Sequence, residues 1–153
     1  MNSSDATGHI DVAVSPAQVY ALVSDPAQLA GIAAEYQGHR WLDGARASAV
    51  GARWRGTNRN GLFRWNTTST VTAADEARRF AFDVAFGPVP VARWEYAIEP
   101  TPTGCTVTER TYDRRPAWFR RLSVLGTGVR DRKSANELNI AETLIRLKAT
   151  VEA

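Results

Sequence analysis

Glu109 is the residue in this chain best placed to move a proton. Alternation along Cys105–Tyr112 sends it to the same side of a strand as Cys105 and Val107. A carboxyl on an apolar face must be paired, hydrogen-bonded or protonated, because burial disfavours its charged form. A pKa raised toward neutrality would suit a general acid or base. An Arg partner, or a place at the open end of a cavity, would make the residue structural instead. Asn58 shares a face with Trp54 and Gly56. Its amide can orient a ligand carbonyl, or cap the turn at Asn60-Gly61. Tyr96, between Trp94 and Ile98, can donate its hydroxyl to a ligand oxygen or tie it to backbone or water. Glu109, Asn58 and Tyr96 form the candidate catalytic set.

A wall of apolar and hydroxyl side chains accompanies them. Trp54, Trp65, Phe80, Phe82, Trp94 and Val107 fall on the same inward faces, with Thr67 and Ser69 between Trp65 and Val71. On the C-terminal helical segment, Asn136, Ile140, Thr143 and Leu147 share one stripe. Leu144 belongs to the neighbouring apolar stripe of Leu138, Ala141, Ile145, Lys148 and Val151, which is expected to pack on the sheet. Asn136, Ile140, Thr143 and Leu144 are therefore candidate ligand contacts, although Asn136 and Asn139 can equally face solvent. Metal chemistry has no foothold: His9 and His39 lie far apart and Cys105 is alone. Gly126-Thr127-Gly128 is too short for a phosphate loop, and no cofactor is expected.

The elements that must position these groups follow from periodicity. His9–Val14 alternates as a strand; Ser15-Pro16 starts a helix that Asp25-Pro26 ends, and a second short helix covers Ala27–Ala33. One strand is expected near His39–Leu42. Five more follow, over Ala52–Asn60, Leu62–Ala73, Arg78–Phe86, Val91–Glu99 and Cys105–Tyr112, with Asn60-Gly61 as a hairpin turn. One helical pattern then runs from Asp131 to Glu152. Strands with aromatics on one side, closed by one amphipathic helix, describe an antiparallel sheet curved around that helix, with a hollow between them. The class is α+β, with about seven strands and two short helices after the first.

At 153 residues the chain fits one domain, 1–153, and can bury a substantial core without disulfides. No apolar run approaches the ~20 residues of a membrane span, and the polar start lacks a signal-peptide pattern. A cytoplasmic setting is expected. Charge is uneven: eight basic residues between Arg110 and Lys133 face only Asp113 and Asp131. There Trp118, Phe119, Leu122 and Leu125 interleave with arginines. This segment can be a lid with its aromatics turned inward and a bend at Gly126 and Gly128, a contact for a membrane or an acidic carrier protein, or a solvated rim. Nucleic acid is the weakest reading, since no recognition motif accompanies the charge.

Four blocks carry a resemblance: HIDVAVSPAQVYALVSDPAQL, GARWRGTNRNGLFRWNTTSTVTAADEARRFAFDV, WEYAIEPTPTGCTVTER and ETLIRLKATVEA. In that order they resemble the SRPBCC superfamily of START and pollen-allergen-like ligand binders, within it the polyketide cyclase/dehydrase group. The resemblance implies a helix-grip fold and an internal cavity for a small hydrophobic or aromatic molecule, polyketide-like or lipid-like. It implies a cyclase/dehydrase-like biosynthetic protein using acid–base chemistry without a cofactor, or a non-catalytic carrier or sensor of lipid-like ligands. The stretch Ile32-Ala33-Ala34-Glu35-Tyr36 departs from the group, keeping only the Glu of an element that relatives carry near the cavity mouth.

Overall fold

A computed structural model of the chain describes residues 3–153. Seven strands form one antiparallel sheet: β1 (Ala6–Val12), β2 (Tyr36–Trp41), β3 (Arg53–Asn60), β4 (Phe63–Asp75), β5 (Arg79–Phe86), β6 (Val89–Thr101) and β7 (Gly104–Asp113). Their spatial order is β1-β7-β6-β5-β4-β3-β2, so β2 to β7 run as a meander and the first strand joins the last. Helices α1 (Pro16–Val23) and α2 (Pro26–Ile32) carry the chain from one edge to the other. After β7 come α3 (Ala117–Thr127) and the long α4 (Arg132–Val151). This is the expected helix-grip fold.

Local chemistry explains the boundaries. Ser15 and Gln18 form a reciprocal capping box at the start of α1, with Pro16 in the first turn, and Asp25 caps α2. Asp131 caps α4 through the Ser134 amide. The break expected through Pro90 is shorter: Gly87-Pro88 turns the chain and β6 begins at Val89. Pro90 is tolerated because it sits opposite Ala85, where the ladder shifts register and needs no N–H.

Outward faces are charged and paired, as alternation predicts. Glu95 bridges Arg79 and Arg110 across neighbouring strands, and Asp83 holds Arg93 and Arg114. Inward, Val19, Leu22 and Val23 of α1 join Phe80, Ile98, Cys105 and Val107 in the core.

The buried face of α4 differs from the expected stripe. Leu138 and Ile145 are 69% and 64% exposed, whereas Asn136, Ile140, Thr143, Leu144 and Leu147 are buried. Both stripes contain aliphatic residues, and the one chosen turns two polar side chains into the molecule. The helix lies along β1 and β7 and touches α1 and α2, with no comparable contact to β3 through β6. Its close approach depends on Gly8: a Cβ there would stand 2.8 Å from Ile140 Cγ2 and 3.3 Å from Leu144 Cδ1. Because α4 leans on one end of a curved sheet, the middle strands are left uncovered from within. That offset makes the hollow.

Candidate functional site

The hollow is a cavity of about 620 Å³ between the inner faces of β3 to β7, α4, and α3 across its mouth. This volume suits a ring system or a folded chain of drug-like size. Trp54, Trp65, Phe82, Val84 and Trp94 form the apolar wall, with Asn58, Thr67, Ser69, Tyr96 and Glu109 among them and Asn136 and Thr143 opposite on α4. Of the expected ligand contacts, Phe80, Val107, Ile140 and Leu144 lie outside the cavity. Tyr20 of α1 covers Phe80, ring centroids 6.3 Å apart and nearly perpendicular. Val107 is enclosed between its cross-strand partners Ile10 and Ile98. Ile140 and Leu144 are spent on the contact over Gly8. His39 meets Trp41 edge-on, ring centroids 5.9 Å apart, and is not part of the lining.

Glu109 is 2% exposed and directly opposite Tyr96 in the β6–β7 ladder. The Tyr96 hydroxyl donates to Glu109 Oε1 at 2.8 Å, while Oε2 is buried without a partner. On the other side its ladder partner is Gly8, which offers no side chain. Burial pushes the Glu109 carboxyl up to about 8, and the Tyr96 bond only partly opposes this. Burial, with the neighbouring carboxyl, drives the Tyr96 hydroxyl well above its ordinary value. Tyr96 is thus a fixed donor to Glu109. It is not free to polarise a ligand carbonyl, one of the two roles the sequence left open, and the group that ties it is a side chain instead of backbone or water.

Asn58 changes role as well. Its amide nitrogen donates to Thr67 Oγ1 at 3.0 Å, and the alternative of capping the hairpin does not occur. The side-chain carbonyl is then the group left for a ligand, so Asn58 meets a hydroxyl more readily than a carbonyl.

Sequence reasoning missed several groups of the cavity wall. Tyr36 of β2 has a buried, unpartnered hydroxyl, and burial raises its pKa strongly. The Trp54 side chain opposes that shift without a hydrogen bond of standard geometry. Gly56 makes room for the Tyr36 ring, which a Cβ would meet at 3.1 Å. Glu35, which the resemblance sets near the cavity mouth without giving it a partner, accepts from Arg132 at 2.7 Å and from Asn139 at 2.9 Å, tying the cavity rim to the start of α4. Asp113 extends the Glu109 alternation by two further steps, beyond the expected strand end. It binds Arg115 through both carboxylate oxygens, at 2.9 and 2.7 Å. Burial works against the Asp113 charge. The hydrogen bonds and charge of Arg115, with Arg120, outweigh it and hold the carboxyl below its usual range. Among the described residues no cluster of ligating side chains could hold a metal ion.

Helix α3 has no buried residue. Phe119, Ser123 and Gly126 face the cavity, and Phe119 meets Phe86 at 5.9 Å. Trp118 points outward, contrary to a lid with all its aromatics inside. Gly126 lies within the helix, and only Gly128 makes the bend, at φ 72°. The far end is pinned by Asn60 Nδ2 donating to Thr127 O at 2.9 Å and by Phe63 packed on Gly128.

Comparison with known proteins agrees with the four-block resemblance. The family described as polyketide cyclase/dehydrase and lipid transport matches residues 4–152. A polyketide-cyclase-like protein of Corynebacterium glutamicum is 28% identical, over 99% of this chain and 94% of that one, with a TM-score of 0.64. Protein CV1439 of Chromobacterium violaceum is 15% identical, covering 96% of each chain, with a TM-score of 0.71. The di-domain ARO/CYC protein BexL of the BE-7585A biosynthetic pathway is 17% identical. There 96% of this chain matches 49% of that one, with a TM-score of 0.72. The last two likenesses establish the fold alone. No curated protein matches the sequence.

Proposed function

The chain belongs to the polyketide cyclase/dehydrase and lipid-transport family, and from that premise we propose that it binds a small, largely apolar, oxygen-bearing molecule in its cavity and cyclises or dehydrates it. The ligand class is polyketide-like or lipid-like, the setting cytoplasmic, and the chemistry acid–base without a cofactor. One observation carries the reading: a carboxyl buried among aromatics, one oxygen held by Tyr96 and the other unpartnered. Structural carboxylates at such depth are normally paired with cations. With a pKa of about 8, Glu109 is largely neutral near pH 7, and its ionised form remains within reach.

In a dehydration, the Glu109 proton passes to the departing hydroxyl oxygen as the C–O bond breaks and water leaves. The carboxylate so formed keeps its hydrogen bond from Tyr96 and takes a proton from the adjacent carbon, restoring the acid. In a cyclisation, an enol carbon of the chain bonds to a carbonyl carbon as the C=O π bond opens, the Glu109 proton goes to that carbonyl oxygen, and the carboxylate so formed takes the enol hydroxyl proton, restoring the acid. The aromatic wall contributes by holding a flexible chain near reacting geometry, which removes much of the entropic barrier. Asn58 and the Tyr36 hydroxyl would fix the ligand's other oxygens.

The competing reading is a carrier of lipid-like molecules. It is favoured by how many polar groups in the wall, Asn58 and Arg132 among them, are already engaged by protein partners. Native mass spectrometry of freshly purified protein identifies any co-purifying compound, and derivatives of it then serve as substrates. Turnover by the wild type and loss of about a hundredfold or more in Glu109→Gln, with binding retained, supports catalysis. Equal turnover in both proteins refutes the role of Glu109. Binding without turnover in either assigns the cavity to a carrier.

A further inference from the structure

The outer face of α3 is apolar, and that is unusual for a helix lying on a surface. Trp118, Arg121 and Leu125 recur at helical spacing, away from the Phe119, Leu122, Ser123 and Gly126 side that faces the cavity. Trp118 is 57% exposed and Leu125 77%. The β3–β4 hairpin ends beside the C-terminal end of this helix, joined to it through Asn60 and Phe63. Leu62 at the hairpin tip is almost wholly in water. Two separate elements thus present protruding apolar tips around one cavity mouth.

The unpaired charge around these tips is basic. Helix α3 contains Arg120 and Arg121 and no acidic residue. Arg114, Arg115, Arg120 and Arg132 are answered by Asp83, Asp113 and Glu35. Arg121, Arg130 and Arg64 have no carboxylate partner among the described residues. A helix with Trp and Leu on one exposed face and unanswered arginines beside them matches what an anionic bilayer surface accepts: apolar tips below the headgroups and guanidinium groups on the phosphates.

We infer that α3 and the β3–β4 hairpin tip form a docking surface for an anionic lipid bilayer, which brings the cavity mouth against the membrane. The surface favours a bilayer over a folded partner because its apolar residues stand out as points instead of lining a groove. No helix of the described chain is long and apolar enough to span a membrane, so the contact is peripheral. Docking of this kind would let an apolar ligand enter or leave without crossing water. The inference holds whether or not Glu109 is catalytic.

Co-flotation of the full chain tests it, with vesicles of phosphatidylcholine alone and of an equal mixture with phosphatidylglycerol. The wild type should float with the mixed vesicles, about tenfold less with phosphatidylcholine alone, and less as salt is raised. The variant Trp118→Ser/Leu125→Ser alters residues outside the cavity wall. It should keep its circular dichroism and its binding of a neutral cavity probe, N-phenyl-1-naphthylamine, while floating about tenfold less. Arg121→Glu/Arg130→Glu should abolish the preference for anionic vesicles. A folded wild type that ignores the mixed vesicles overturns the inference, as does flotation unchanged by the Trp118/Leu125 variant. A wild type that ignores vesicles yet binds polyglutamate through Arg121 assigns the surface to an acidic protein instead.

Discussion

Replacing Glu109 by Gln isolates the energetic consequence of burying this carboxyl. The amide carbonyl can still accept from Tyr96, and no charge can form. In the folded wild type the pKa is raised from 4.5 to about 8, so the native state binds more protons than the unfolded state between those values. Stability from this group is therefore fully present below about pH 4.5 and falls as pH rises through the window to about 8. Each unit corresponds to about 1.4 kcal/mol, so the wild type should lose about 3 kcal/mol relative to Glu109→Gln between pH 5 and pH 8. Other titrating groups are common to both proteins and cancel in the difference. Urea unfolding at a series of pH values, fitted for both chains, measures it. Parallel stability profiles would show that Glu109 ionises without penalty and would refute both its burial and its readiness to donate a proton.

Two further perturbations probe the cavity rim and helix α3. Arg132→Met removes the cation that Glu35 faces in a pair only 17% and 18% exposed. With Asn139 alone remaining, stability should fall by about 2 kcal/mol at pH 7. Thermal unfolding of both chains at that pH checks this. Gly128→Val forces a branched side chain into the left-handed region, with its Cβ 2.6 Å from the Phe63 ring. Since α3 has no fully buried residue, the cost of about 1–2 kcal/mol should appear as local opening. Hydrogen exchange in α3 should quicken while the unfolding of the whole protein changes little.

The sheet was legible because a period of two survives in the aromatic and charged residues of β3 to β7, and the first helix because Ser15-Pro16 and Asp25-Pro26 mark its two ends. The same alternation shows Glu109 pointing inward, and Asn58, Trp65 and Tyr96 with it. It says nothing about depth. Phe80 and Phe82 are equivalent in sequence, yet α1 covers the first and leaves the second to the cavity. Ile140 and Thr143 share a stripe, but the position of Gly8 on another element makes one a packing residue. Along α4 two aliphatic stripes compete, and the more polar one is buried, since it faces a hollow instead of a filled core. The Glu35–Arg132 pair joins segments 97 residues apart, and the stretch before β2 has no periodicity to betray it. Tyr36 was hidden for the same reason: only the absence of a side chain at Gly56, on the next strand, lets its ring lie inside.

The most direct test of the account is a fluorescence titration with N-phenyl-1-naphthylamine, comparing the wild type with Ser69→Trp. Ser69 is nearly fully buried in the cavity wall, so an indole there occupies the guest's space. One saturable site per chain is expected in the wild type, with a dissociation constant on the order of micromolar, and no saturable binding in a Ser69→Trp chain that keeps its circular dichroism. A wild type that takes up no probe, or a Ser69→Trp chain that binds it equally well, would contradict an open chamber between sheet and helix.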